Sequence, residues 1–151
     1  MAVRLALIGN APAPAELFVA DEARRGRSQL LDDVAALLTS PTAFLPVRLS
    51  ARVRLLGKHA IAWIAVARRD EDDPSEELTL YDREHNVELE LDRGGTKLIG
   101  TLLDSAPIDR TRVIDHLNSA GNFLRLWTAD EHYLVNTRQI IAVTELDGER
   151  T

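Results

Sequence analysis

The sequence predicts a mainly β protein with short helices (α+β), built as a tandem of two β-β-α-β-β-β repeats. Three observations predict it. Val3, Leu5 and Leu7 alternate with Arg4, Ala6 and Ile8, and the same alternation returns at Val87, Leu89 and Leu91. A period of two is the mark of a strand. Each half also carries one helical stripe: Leu30, Leu31, Val34, Leu37 and Leu38 in the first, Val113, Ile114 and Leu117 in the second. Finally, the halves align. Asp21, Ala23, Arg27 and Asp32 fall on Asp104, Ala106, Arg110 and Asp115 without a gap, and after one deletion Phe44, Leu45, Leu55 and Ile61 fall on Phe123, Leu124, Leu134 and Ile140. Shared strand periodicity explains the apolar matches but not a matched Asp–Arg–Asp set. The halves are therefore read as duplicates, each supplying what the other cannot bury alone.

In order, the first repeat spans residues 1–69. Its first strand runs into Gly9-Asn10-Ala11-Pro12-Ala13-Pro14, read as a loop because two prolines and a glycine break a ladder. Glu16–Ala20 resumes as strand. Ser28 is the expected N-cap of a helix that Ser40-Pro41 stops. Phe44–Leu49 and Arg52–Leu56 read as a hairpin, with Val47, Leu49, Val53 and Leu55 on one face and Arg48, Arg52 and Arg54 on the other. After a turn at Gly57-Lys58, Ala60–Ala67 is nearly all apolar and reads as a strand buried on both faces or at an interface. Residues 70–83 form an acidic linker, with Leu78, Leu80 and Tyr81 as a short element inside it. The second repeat spans 84–151. It holds a hairpin turned at Asp92–Gly95, the strand Lys97–Asp104, a helix over Thr111–Asn118, and strands Phe123–Trp127, His132–Val135 and Ile141–Leu146.

The chain has 151 residues, 45% hydrophobic and 28% charged, and no cysteine. Disulfides, thiolate metal sites and cysteine nucleophiles are excluded. No apolar run reaches the ~18–20 residues needed to cross a bilayer, so no membrane insertion is expected. Met1–Ile8 reads as a strand and not as a signal peptide, which points to a cytoplasmic protein. Sixteen arginines against two lysines, with abundant alanine and leucine, suggest a GC-rich bacterial genome.

Charge is unevenly spread. Residues 1–69 carry a net +5, residues 70–83 a net −6 and residues 84–151 a net −5. No Asp or Glu lies between Val34 and Arg69, whereas Arg48, Arg52, Arg54, Lys58, Arg68 and Arg69 do. The expected result is a basic patch made by Arg48, Arg52, Arg54 and Lys58. Such a patch binds nucleic acid, or docks on acidic protein surface, including the acidic half of another subunit.

Val87-x-Leu89-x-Leu91, then Gly94, Gly100-Thr101-Leu102 and Asp104, resembles the first motif of Sm-like proteins. Leu134–Ile140 resembles their second motif, with its Arg-Gly turn near Asn136; the first repeat has Leu55-Leu56-Gly57-Lys58 there. The chain departs from that family in lacking the N-terminal helix and in carrying an inserted helix where the family keeps a short RNA-contacting loop. The IDHLN-then-FLRL arrangement also looks like an uncharacterised bacterial small-barrel family. The resemblance implies two Sm-like/SH3-like small barrels, here expected in pseudo-two-fold symmetry. It also implies edge strands that pair between subunits and, as the alternative function, regulation through RNA binding.

No catalytic set emerges, and the chain is read as a non-enzyme without cofactors. His59, His85, His116 and His132 show no metal-ligand spacing. Asp115-His116 lacks a nucleophile, and Gly94-Gly95 is no phosphate loop. Asp21/Arg27/Asp32 and Asp104/Arg110/Asp115 are read as structural ion pairs that latch each helix start to the preceding strand. Trp63 is expected in the core, and Trp127 half exposed in an interface. The functional expectation is a protein-interaction or scaffold module that self-associates as a dimer or larger, with Ala60–Val66 as its free edge, and that also binds an unidentified protein partner.

Overall fold

The computed structural model describes residues 1–19, 27–68, 83–91, 96–104 and 113–146. Among the described residues are ten strands: β1 (Ala2–Leu7), β2 (Ala13–Leu17), β3 (Phe44–Leu49), β4 (Arg52–Gly57), β5 (Ile61–Ala67), β6 (Arg83–Leu91), β7 (Lys97–Asp104), β8 (Phe123–Trp127), β9 (Glu131–Asn136) and β10 (Ile140–Glu145). Helices α1 (Arg27–Thr39) and α2 (Val113–Ser119) follow the second strand of each half. Short 3₁₀ turns at Lys58–Ala60 and Thr137–Gln139 precede the last strand of each. The linker at 70–82, the turn at 92–95 and the start of the second helix lie outside the described residues.

All strands join one antiparallel sheet that is not closed, ordered β10-β6-β7-β8-β9-β5-β1-β2-β3-β4. This order repeats itself. The second half contributes β10-β6-β7-β8-β9 and the first β5-β1-β2-β3-β4, so each places its last strand beside its first. Registers repeat too: Leu45↔Leu56 and Val47↔Arg54 in the first half match Leu124↔Val135 and Leu126↔Tyr133 in the second. The halves meet through unlike strands, β5 on β9. A two-fold axis would set like strands against each other. The expected pseudo-two-fold is therefore replaced by a head-to-tail relation. The expectation that Ala60–Val66 forms a free edge fails for the same reason: β5 lies between β1 and β9.

Apolar alternation places each core. Val3, Leu5, Leu17, Val34, Leu45, Val47 and Ile61 are buried together under α1 in the first half. Val87, Leu89, Leu102, Val113, Leu124 and Leu126 are buried together in the second. Pro14, expected in a loop, belongs to β2 opposite Arg4. The ladder between β2 and β3 starts only at Glu16, so the N–H that proline lacks falls where β2 has no second neighbour.

The β3–β4 hairpin turns through Ser50 and Ala51, both with positive φ (50° and 65°). Two central residues of that kind make the turn whose twist suits a hairpin. The resulting register pairs Arg48 with Val53 and Val47 with Arg54. Directly paired residues share a face. Arg48 thus sides with Val53 and Leu55, while Arg52 and Arg54 lie on the opposite face, and the predicted three-arginine face is divided.

Gly100 on β7 stands where two strands approach closely. A Cβ there would lie 2.5 Å from the Trp127 carbonyl oxygen and 2.8 Å from Leu126 Cγ. β7 reaches β8 through the pair Thr101↔Trp127, so backbone closeness here demands glycine. Gly100→Ala is expected to destabilise the fold by about 1–3 kcal/mol through overpacking, read as a lowered urea midpoint at unchanged slope.

Candidate interaction site

The predicted binding residues occupy three different settings. Arg48, Arg52 and Arg54 are exposed. Arg48 lies over the exposed Phe18 ring at 5.8 Å. Arg52 and Arg54 stand on β4, the last strand of the sheet. Lys58 does not belong to any basic patch. It is 8% exposed, and its ammonium donates to the Ser40 carbonyl at 3.2 Å, Ser40 Oγ at 2.7 Å and Thr42 Oγ1 at 3.0 Å. Burial pushes its pKa down. It closes the end of α1, where a cation suits both the free carbonyls and the helix dipole.

Trp127, expected half exposed, is 5% exposed. It stacks on the His132 ring at 4.2 Å, and Arg68 lies over it at 5.3 Å. It does sit in an interface, but the one inside the chain, where it packs into the core of the first repeat. His132, fully buried, accepts at Nε2 from Arg125 Nε at 3.2 Å. Trp63 is in the core as expected, edge-on to Tyr133 at 5.2 Å.

Of the residues in the predicted latches, Asp32 pairs with Arg125 of β8 at 3.2 Å and so ties α1 to the other repeat. The side chains of Arg27, Asp104 and Asp115, and residues Asp21 and Arg110, lie outside the described residues.

A charged cluster that the sequence did not signal spans the junction of the repeats. Arg4 on β1 reaches across β5 to Glu131 on β9. Its Nε donates to Glu131 Oε2 at 2.8 Å, its Nη2 donates to Glu131 Oε1 and, at 3.1 Å, to the Tyr133 hydroxyl. Tyr133 donates in turn to Glu131 Oε1 at 3.0 Å. The hydrogen bond from Arg4 holds Glu131 below the usual carboxylate range, and burial with Glu131 nearby pushes the Tyr133 phenol up. The intervening residue is Ala65, paired with both Arg4 and Tyr133, and its small side chain leaves the path open. At the other end of β9, Asn136 donates to the carbonyls of His59 (3.3 Å) and Ile61 (3.0 Å) and accepts from the Arg138 N–H (3.0 Å), joining β9 to the start of β5.

A cleft of about 290 Å³ opens beside this joint, lined by Thr42, Lys58, His59, Asn122, Asn136 and Arg138 among others. The Lys58 ammonium and the Asn136 amide in it already have protein partners. Among the described residues, no group of three or more His, Cys, Asp or Glu is placed to hold a metal, and no helix is long and apolar enough to cross a membrane.

What the surface does offer lies at the ends of the sheet. Among the described residues, β4 and β10 each have one neighbouring strand. On β4, Val53 and Leu55 are 57% and 70% exposed; on and just after β10, Ile141 and Leu146 are 61% and 39% exposed. Comparison of the chain with protein-family models, curated proteins and solved structures finds no match.

The Arg4–Glu131 pair carries a sign that can be checked. Because Glu131 is depressed in the fold, the pair's stabilisation is present above the ordinary carboxylate range and lost as pH falls through Glu131's lowered value. Arg4 is half exposed, so the pair is worth about 1 kcal/mol at most. Arg4→Ala is expected to cost that amount at neutral pH and much less in acid, followed by urea unfolding across a pH series.

Proposed function

We propose that this protein is a non-enzymatic interaction module that self-associates through the ends of its sheet. The observation that carries the reading is the pair of unpaired edge strands, β4 and β10, bearing exposed Val53, Leu55 and Ile141. Unpaired N–H and C=O groups beside apolar side chains recruit another strand unless something blocks them. No proline interrupts either strand. Each repeat is taken as a small, strongly bent Sm-like unit, supported by the repeated strand order and by the tight β7–β8 approach at Gly100. A cytoplasmic setting, and a scaffold role toward a further protein partner, belong to the same reading.

The alternative is nucleic-acid binding. One observation favours it: the exposed Phe18 under Arg48 is an aromatic–cation pair of the kind that stacks bases. The separation of Arg48 from Arg52 and Arg54, and the removal of Lys58, weigh on the other side.

Light scattering at low salt and high concentration is expected to give a mass of at least twice 16.8 kDa, falling as salt screens exposed charges over ~8 Å. A monomer under those conditions ends the proposal. Filter binding to single-stranded RNA over a salt series is expected to show no retention. Retention with a steep negative salt slope would select the nucleic-acid reading instead.

A further inference from the structure

We propose that chains add head-to-tail, β10 of one copy on β4 of the next, in the register already displayed by β5 on β9, with Glu88 and Glu90 of one copy locked onto Arg52 and Arg54 of its neighbour. The inference rests on the self-association reading and gives it a surface, a polarity and a register.

The inner junction is the pattern. In it the last strand of one repeat, β5, pairs with the fourth strand of the other, β9. The outer ends of the sheet are the same two kinds of strand: β10 is the last strand of the second repeat and β4 the fourth of the first. The chain thus ends in the two halves of a joint it has already made once.

Registers carry the match to single residues. Arg4↔Ala65 on β1 and β5 corresponds to Glu88↔Thr144 on β6 and β10. Leu126↔Tyr133 corresponds to Val47↔Arg54. The inner pair Ile64↔Leu134 therefore becomes Val143 opposite Leu55 of the next copy, and Ala65↔Tyr133 becomes Thr144 opposite Arg54.

Exposure then explains itself. At the inner junction Phe123 and Leu134 are 9% and 1% exposed, buried in the first repeat's core. Their counterparts Phe44 and Leu55 are 60% and 70% exposed. These are positions built for the same burial and lacking the neighbour that provides it.

Charge supplies an independent argument. Arg4 crosses over small Ala65 to reach Glu131. Glu88 stands in the place of Arg4, and Arg52 in the place of Glu131, so both signs are exchanged and the attraction is kept. Thr144, in the place of Ala65, is also small. Glu90 and Arg54 extend the match, and the half-buried Glu88 is held 3.3 Å from Lys97 on its own sheet. Polarity follows: a β4-on-β4 contact would set Arg52 and Arg54 against themselves, and only the unlike ends are complementary.

The test uses the full chain at low salt, by sedimentation velocity. Wild type is expected to form assemblies that grow with concentration. R52E/R54E and E88R/E90R are each expected to raise the concentration at which assembly sets in by about tenfold or more, while circular dichroism stays that of wild type. Mixed one to one, the two variants are expected to assemble again, because every junction then has one acidic and one basic side. Folded variants that assemble like wild type would overturn this junction and leave self-association standing through another face. So would folded variants whose mixture stays apart, and so would a wild-type dimer indifferent to R52E/R54E. A monomeric wild type overturns both readings.

Discussion

The pairing of β5 with β9 is the constraint on which the rest of the molecule depends. Its two faces belong to different cores. Ile64 and Leu134 face the first, which also takes in Phe123 and Trp127 from the second repeat. Trp63, Ala65, Tyr133 and Val135 face the second, with Ala6 from the first repeat. Neither half closes its core from its own residues, as expected for units of about 60–70 residues, which bury too little surface to stand far above marginal stability. The buried hydrogen bonds follow the same seam. Asn136, 3% exposed, spends both amide hydrogens on carbonyls of the other repeat. An unpaired amide there costs more than the bond itself yields, so the joint specifies its own register.

How much of this was legible depends on how local the cause is. Strand and helix positions follow from periodicity, and both hairpins around β3–β4 and β6–β7 were readable from alternation. Ala60–Ala67 was read as a strand buried on both faces or at an interface, and Ile61–Ala67 is a largely buried strand. Sequence alone did not distinguish a strand between two cores from a strand awaiting a partner, because both look the same to a period-two pattern. The arginine face failed by parity. With Ser50 and Ala51 alone in the turn, Arg48 must oppose Val53, and no glycine announced that tight a turn. Alternation assigns faces within one strand, whereas the turn assigns them between two. Lys58 was read by charge, yet its place is decided by Ser40 and Thr42, which accept its hydrogens at the end of α1. Arg4 and Glu131 stand 127 positions apart, and nothing local to either names the other.

The charge asymmetry, by contrast, was plain in the sequence and lacked only an address. A net of +5 in one half and −5 in the other restricts partners without locating them. The sheet order provides the location. It puts basic β4 at one end and the acidic β6–β10 pair at the other, the greatest separation the architecture allows. The inner joint, buried between the halves, combines the Arg4–Glu131 pair and the Asn136 amide bonds with apolar and aromatic contact.

The proposed outer joint therefore differs from the inner one in kind, although it shares its register. Where the inner joint sets Trp63 edge-on to Tyr133, the outer sets Ala142 beside Arg54, and the aromatic contact is lost. The position of Asn136 is taken by Gly57, so the cross-joint amide bonds are lost as well. What remains is strand pairing, two exposed apolar side chains, Phe44 and Leu55, and opposed charges near the surface. Contacts of that composition are weak singly and are screened by salt, whereas the inner contacts are largely buried and act within one chain, where linkage raises the effective concentration. The inner joint is permanent by construction, and the proposed outer one would be reversible by composition.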